Sequence, residues 1–127
     1  MKMMVLDLQS QLYAMALRRG LVQNLVETQL LVSPDPAETV EHCRVTKPAA
    51  LLMEVRPFSP WLLEERLKLR EQVARVAPDC KVALLVDEVA DQALAEQVKE
   101  AKQRGLIDAF VFASTTESYL AAMMDSL

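Results

Sequence analysis

Three apolar runs in this 127-residue chain end in carboxylates. Asp7 lies near the end of the run KMMVLDL, Glu54 near the end of ALLMEV, and Asp87 with Glu88 directly after KVALLV. A single acid that leaves a buried strand is commonly a solvated loop residue. Three carboxylates at one place repel one another, so they bind a cation, share protons or pair with a base. Which chemistry applies depends on whether the fold brings these run ends together.

Apolar and amphipathic runs alternate along the whole sequence. Nearly continuous apolar runs predict five buried strands, at Lys2–Leu8, Thr28–Val32, Ala49–Val55, Lys81–Val86 and within Leu106–Phe112. Apolar residues at helical spacing predict helices from Leu12 to about Gly20–Asn24, from Asp35-Pro36 to Val45, at Pro60–Ala77, at Ala90–Arg104 and at Thr116–Ser126.

Capping signals mark several of these helix ends. Ser59-Pro60 has the serine cap and first-turn proline of a helix start, and Ser114 with Glu117 has the spacing of a capping box. Gly105 is predicted to end the fourth helix.

Five strand–helix units with short connections predict parallel strands joined by right-handed crossovers. The expected fold is one three-layer, doubly wound α/β domain over residues 1–127, with a five-stranded parallel sheet in flavodoxin-like, CheY-like order. Ligands of such sheets bind at the carboxyl edge of the strands. Asp7, Glu54 and Asp87 are therefore expected to converge in one acidic pocket at that edge.

Composition excludes several classes of function. A net charge of −4 and a pI near 5.0 argue against direct nucleic-acid contact, and no apolar run reaches the length of a membrane span. No signal peptide is recognisable, so a cytoplasmic location is expected. Two glycines cannot build a phosphate-binding loop. Cys43 and Cys80 are expected to be free thiols rather than a disulfide or a zinc site, and one histidine, His42, cannot complete a hydrolytic triad.

The order, length and spacing of the elements, with an acid after the third strand, resemble a response-regulator receiver domain over essentially the whole chain. In that family an acidic pair after the first strand and an aspartate after the third surround Mg²⁺, and this aspartate accepts a phosphoryl group. A Thr or Ser follows the fourth strand and a Lys-Pro pair the fifth. The resemblance implies a signalling module of a two-component system rather than an enzyme.

This sequence departs from the family pattern at nearly every one of those positions. Asp7 fits the first member of the acidic pair, but Leu8 stands where the second belongs. Glu54 occupies the phosphoacceptor position, Asp87 the hydroxyl position and Ala113 the lysine position. Glutamate displaces the carboxylate by one methylene, beyond the roughly 0.5 Å tolerance of a catalytic site. Without the lysine, a transferring phosphoryl group also loses its fixed cation.

The departures predict a pseudo-receiver in which Glu54 is a permanent negative charge and no cofactor is needed. Arg56, two residues further on, is the candidate to fold over the acids and compensate them, and a solvated loop arginine is the alternative. A second alternative places Mg²⁺ between Asp7 and Glu54.

Such a module works by binding a protein. The resemblance places the partner surface on the fourth helix, fifth strand and fifth helix, where Phe110 matches the aromatic that switches between buried and exposed states in active receivers. The last helix carries four large side chains for this surface or for a homodimer interface: Tyr119, Leu120, Met123 and Met124.

Three alternatives stay open at this point. Glu54 or Asp7 could still accept a phosphoryl group from a histidine kinase or a small donor. The domain could also be the regulatory part of a DNA-binding response regulator. The third alternative is a small-molecule binder at the strand edge, which no glycine-rich loop or convergent polar set supports.

Overall fold

The computed structural model describes every residue from Met1 to Leu127. The five strands are β1 (Lys2–Asp7), β2 (Thr28–Val32), β3 (Ala50–Val55), β4 (Lys81–Val86) and β5 (Ala109–Phe112). The five helices are α1 (Gln11–Val22), α2 (Pro36–Thr46), α3 (Leu63–Val76), α4 (Gln92–Gln103) and α5 (Glu117–Ser126). The alternation of strand and helix predicted from the apolar runs is confirmed in every unit.

All five strands are parallel and lie in the order β2-β1-β3-β4-β5. The expected doubly wound, CheY-like sheet is thereby confirmed. One apolar core packs between the sheet and the pair α1 and α5, and a second packs between the sheet and α2, α3 and α4. No helix has the length and apolar character needed to cross a membrane.

Side-chain alternation assigns each strand residue to one of these two cores. On β1, Leu6 belongs to the α1–α5 core and Val5 to the α2–α4 core, so Asp7 points toward α2 and α3. On β3, Met53 and Val55 belong to the α2–α4 core, so Glu54 points to the opposite face, toward α1. The first and third strands therefore present their acids on opposite faces of the sheet.

One helix start and one helix cap differ from the prediction. The third helix begins at Leu63 rather than Pro60, and the Ser59 hydroxyl donates to Glu65 Oε2 at 2.7 Å instead of capping a helix at Pro60. The last helix is capped by Thr116, whose Oγ1 accepts from the Tyr119 amide at 3.2 Å, and not by Ser114. Local sequence signals were present at both sites. At α3 the Ser59 hydroxyl bonds the Glu65 side chain instead of the backbone, and at α5 the neighbouring Thr116 hydroxyl bonds the backbone in place of Ser114.

Other helix ends agree with the sequence signals. Asp35 caps α2 by accepting from the Ala37 amide at 2.9 Å, with Pro36 in the first turn. Gly105 follows α4 with a φ of +74°, a left-handed conformation that glycine adopts without steric cost.

Candidate functional site

The Asp7 carboxylate is fully buried and is held by a buried arginine from α3. Arg66 Nη1 donates to Asp7 Oδ2 at 2.8 Å, and Arg66 Nη2 donates to Asp7 Oδ1 at 3.0 Å. Neither side chain is exposed to solvent. A bidentate pair is the geometry in which an arginine offsets the desolvation of a buried carboxylate most completely.

The same guanidinium also ties two neighbouring strands together. Arg66 Nε donates to the Glu54 carbonyl at 2.8 Å, and Arg66 Nη2 donates to the Asp7 carbonyl at 3.3 Å. These carbonyls lie at the carboxyl ends of β3 and β1. Arg66 therefore compensates one charge and satisfies backbone acceptors where the sheet ends.

A chain of hydroxyl groups completes the surroundings of Asp7. Thr39, on the buried face of α2, donates from Oγ1 to Asp7 Oδ2 at 2.6 Å. Since its proton is used there, Thr39 Oγ1 accepts from Ser33 Oγ at 2.8 Å. We call Asp7, Arg66 and Thr39 the buried ion cluster. In this cluster both carboxylate oxygens of Asp7 accept hydrogen bonds.

Glu54 lies on the other face of the sheet, in a more open environment. Its Oε1 accepts from the Gln9 amide at 2.9 Å, which fixes the loop between β1 and α1. Burial raises the pKa of the Tyr13 phenol on α1, and the negative charges of Glu54, Glu117 and Asp87 raise it further. We call Glu54, Asp87 and Glu117 the carboxylate rim, since all three act on the Tyr13 hydroxyl.

The prediction of one acidic pocket formed by Asp7, Glu54 and Asp87 is therefore wrong, because Asp7 is not part of it. Glu54 and Asp87 share one side of the sheet edge, whereas Asp7 is removed into the buried ion cluster. Asp87 is also engaged in its own turn, where Oδ1 accepts from the Val89 amide at 3.1 Å and from the Ala90 amide at 3.0 Å. Side-chain alternation therefore separates Asp7 from the other two carboxylates.

The position after β5 carries no cation. Ala113 donates its amide to the Val86 carbonyl at 2.9 Å, and its side chain packs against the α1–α5 core. The next residue, Ser114, donates its hydroxyl to Glu88 Oε1. Two polar side chains thus pair with each other at a place where a lysine would pair with a phosphoryl group.

Arg56 does not compensate the carboxylate rim, so that expectation is wrong. Its Nε donates to Asp91 Oδ2 at 3.2 Å, just before α4, and its guanidinium lies 5.0 Å from the centre of the Phe58 ring. The loop after β3 turns toward α4, and Arg56 lines a cleft of about 480 Å³ between α3 and α4. The compensating arginine is Arg66, ten residues later than predicted and on the opposite face.

A magnesium site does not fit the residues present. Of the two acids that receiver domains place after the first strand, this chain has only Asp7, and both oxygens of Asp7 already accept from Arg66. No three His, Cys, Asp or Glu side chains lie close enough together to hold a metal ion. Asp7 and Glu54, the two ligands of the alternative Mg²⁺ site, lie on opposite faces of the sheet and so do not face one ion.

The predicted interface residues of the last helix fall into two groups. Leu120 and Met124 are buried in the α1–α5 core and Met123 packs against it, so the expectation that Leu120 and Met124 face a partner is wrong. Tyr119 is 63% exposed. It lines a groove of about 420 Å³ along β5 together with Lys102, Phe110, Phe112 and Thr115.

Sequence reasoning missed three residues of the site: Arg66, Thr39 and Tyr13. A signal existed for Arg66, which falls between Leu63 and Leu67 in the apolar stripe of its helix, where a charged residue must face the core. Thr39 likewise precedes Cys43 by one turn on the buried face of α2. No sequence signal marks Tyr13, whose role depends on carboxylates from three other elements.

The fold has solved neighbours among receiver domains. A CheY-like protein, TadZ, from Pseudomonas aeruginosa superposes with a TM-score of 0.73 at 16% identity, covering 99% of this chain and 98% of that one. A CheY-like receiver domain protein from Methanospirillum hungatei gives 0.71 at 9% identity, with 99% and 92% coverage.

A third neighbour is a two-component transcriptional regulator AraC from Clostridium phytofermentans, with a TM-score of 0.69 at 16% identity and coverage of 99% and 90%. In sequence, the chain matches no model of a known protein family and no curated protein. The shared feature is therefore the receiver-type fold, carried by very different side chains.

Proposed function

We propose that this domain is an atypical receiver, a cytosolic signalling module that acts by contacting a protein partner and neither catalyses a reaction nor takes up a phosphoryl group. The neighbouring structures support the receiver part of this proposal through the fold. The remaining parts rest on the site described above.

The observation that carries the proposal is the pair formed by Asp7 and Arg66. Phosphoryl transfer to a carboxylate needs a cation that bridges the acids and the phosphoryl oxygens. Here the acid that would hold this cation is bound by a guanidinium at 2.8 and 3.0 Å, on the far face of the sheet from Glu54. Freeing Asp7 would leave a buried, unpaired Arg66, which is strongly unfavourable.

The carboxylate rim adds a second obstacle. An incoming phosphoryl donor is an anion, and Glu54, Asp87 and Glu117 are all negative groups around Tyr13. At the position of the family's lysine, Ala113 offers no charge to offset this repulsion. Glu54 is thus a fixed negative charge that resembles a modified state without being one.

The surface available to a partner is the groove along β5. Phe110, Phe112 and Tyr119 supply apolar area, and β5 is an edge strand with one unpaired side. Aromatic side chains at an exposed edge are typical of a protein-binding surface, and we propose a second copy of the chain as the partner because most soluble oligomers are homo-oligomers.

Phosphorylation can be tested by intact-mass measurement after treatment with acetyl phosphate and Mg²⁺, with an active receiver domain treated in parallel. We expect no gain in mass in the wild type while the active domain gains one phosphoryl group. A phosphoryl adduct on the wild type that disappears in Glu54→Ala would overturn the proposal.

The partner surface can be tested by light scattering over a concentration series. We expect a dimer that dissociates at a higher protein concentration in Tyr119→Ser than in the wild type, while Val26→Ser, a change at an exposed residue outside the groove, leaves the dimer intact. A wild-type protein that stays monomeric at the highest concentration would exclude the homodimer.

A further inference from the structure

The chain's two cysteines meet in the fold. Cys43 lies on the buried face of α2, and Cys80 lies in the turn that precedes β4. Cys80 packs against the α2–α4 core to which Cys43 belongs, and the two thiols are near enough for each to shift the pKa of the other. Both are free thiols in this structure. Two sulfurs near each other, though far apart in sequence, are the starting arrangement for a disulfide.

The backbone around both thiols is held in place. Lys47 donates its amide to the Cys43 carbonyl at 2.9 Å and its side-chain ammonium group to the Val76 carbonyl at the end of α3. Cys80 donates its amide to the Ala77 carbonyl at 3.0 Å. The end of α2 is thereby tied to the segment that leads into Cys80, so the sulfurs stay near each other.

One of the thiols is reachable from solvent. Cys43 is fully buried, but Cys80 is half-buried and lines a small surface cavity of about 110 Å³ together with Arg70, Lys81 and Asp108. A cavity of this size has room for a molecule as small as hydrogen peroxide.

The two thiols are also unequal. The neighbouring Cys80 lowers the pKa of Cys43, against the opposing effects of burial and of the Asp7 charge, whereas the neighbouring Cys43 and burial raise the pKa of Cys80. Cys43 therefore forms a thiolate more readily than Cys80, and the thiolate is the nucleophilic form of cysteine.

We propose that Cys43 and Cys80 are a peroxide-sensitive modification site that closes reversibly into an intramolecular disulfide. The Cys80 sulfur, which is reachable from solvent, attacks a peroxide oxygen as the O–O bond breaks, which gives a sulfenic acid at Cys80 and one water. The second sulfur then attacks the first and displaces hydroxide, which leaves as a second water. Two thiols are oxidised, one peroxide is reduced to two waters, and a dithiol reductant reverses the change.

The bond would act on the buried ion cluster. Thr39 precedes Cys43 by one helical turn on the same buried face and donates to Asp7 at 2.6 Å. A covalent link from Cys43 to the start of β4 fixes α2 in position and holds Thr39 against Asp7. Oxidation should therefore raise the melting temperature, and reduction should return it to the starting value.

The test is peroxide treatment of the folded protein, followed by denaturation, alkylation of free thiols and intact-mass measurement. We expect the wild type to lose the mass of two hydrogens, to take up no alkyl group, and to recover two alkylatable thiols after reduction. The same treatment in denaturant should give much less intramolecular disulfide, because the fold no longer holds the sulfurs together.

Two variants keep the test decisive. Cys80→Ser changes the more exposed residue and should fold normally by circular dichroism, yet it should show no loss of two hydrogens. Cys43→Ala, a small apolar substitution in the core, should give the same result. Two fully alkylated thiols in peroxide-treated, folded wild type would overturn the proposal, and so would a disulfide found only between two chains.

Discussion

Two acids at the ends of neighbouring strands lie in opposite environments in this fold. Asp7 on β1 is fully buried and bound by Arg66 and Thr39. Glu54 on β3 is partly exposed and accepts a single backbone amide, that of Gln9. The difference follows from side-chain alternation, which turns Asp7 toward α2 and α3 and Glu54 toward α1.

The comparison separates an acid that is paired inside the core from one that has no charged partner. A buried carboxylate needs a partner of opposite charge, and that partner then occupies the oxygens that a metal ion would use. An acid at the open rim is solvated and needs no partner of opposite charge, so its charge remains exposed. Substitutions at the two acids and at their partners separate the two roles.

Removing the buried cation should be the most destabilising change. In Arg66→Met the Asp7 carboxylate stays buried without its bidentate partner, so we expect a loss of about 3–5 kcal/mol in the free energy of unfolding. Urea unfolding measures this, with Lys68→Met as the control because Lys68 is an exposed residue of the same helix. Equal losses in the two variants would show that the ion pair is not structural.

The hydroxyl group of Thr39 should contribute less than the cation. Thr39→Val keeps the shape of the side chain and removes the buried hydrogen bond to Asp7, so we expect a loss of about 1.5–3 kcal/mol, typical of a bond to a charged group. The matched control is Thr28→Val, whose hydroxyl bonds the exposed Val26 carbonyl. A loss no greater than that of the control would contradict the role assigned to Thr39.

Neutralising the acid of the rim should hardly change stability. Glu54→Gln retains an oxygen that can accept from the Gln9 amide, and it removes repulsion from Asp87 and Glu117, so we expect a change within about 0.5 kcal/mol. The measurement is again urea unfolding. If this variant lost as much stability as Thr39→Val, Glu54 would belong to the structural acids.

The smallest effect concerns the Tyr13 phenol. Its pKa in the folded protein is raised by burial and then by Glu54, Glu117 and Asp87, so its stabilising contribution is present below the unfolded pKa near 10. That contribution is lost as the pH rises through the higher, folded pKa. Absorbance titration of Tyr119→Phe isolates Tyr13, since the chain has two tyrosines.

We expect Tyr13 to titrate above pH 10 in the Tyr119→Phe background, and at a lower pH when Glu54→Gln is added. Titration at or below pH 10 in the folded protein would show that the rim does not act on this hydroxyl.

The sequence was sufficient to predict the fold, because the five apolar runs and the amphipathic stretches between them specify strand and helix independently of tertiary contacts. It was insufficient for the site. Arg56 stands close to Glu54 along the chain, but the loop after β3 turns toward α4 and pairs Arg56 with Asp91. Such a loop direction depends on tertiary packing that no local pattern encodes.

Part of the site could nonetheless be predicted from the sequence. Arg66 occupies a core position in the apolar stripe of α3, and a buried arginine requires an acidic partner. Asp7 at the end of the interior strand β1 was a candidate for that partner. The proximity of Cys43 and Cys80 could not be predicted from the sequence, because one lies on a helix and the other in a turn that is distant along the chain.

Calorimetric titration of Mg²⁺ into the wild-type protein bears most directly on the claim that Arg66 has taken the place of a metal ion at Asp7. If the guanidinium holds both carboxylate oxygens, millimolar Mg²⁺ should give no saturable heat, and Asp7→Asn should behave in the same way. Saturable binding in the wild type that is lost in Asp7→Asn would mean that the ion pair opens to admit the metal.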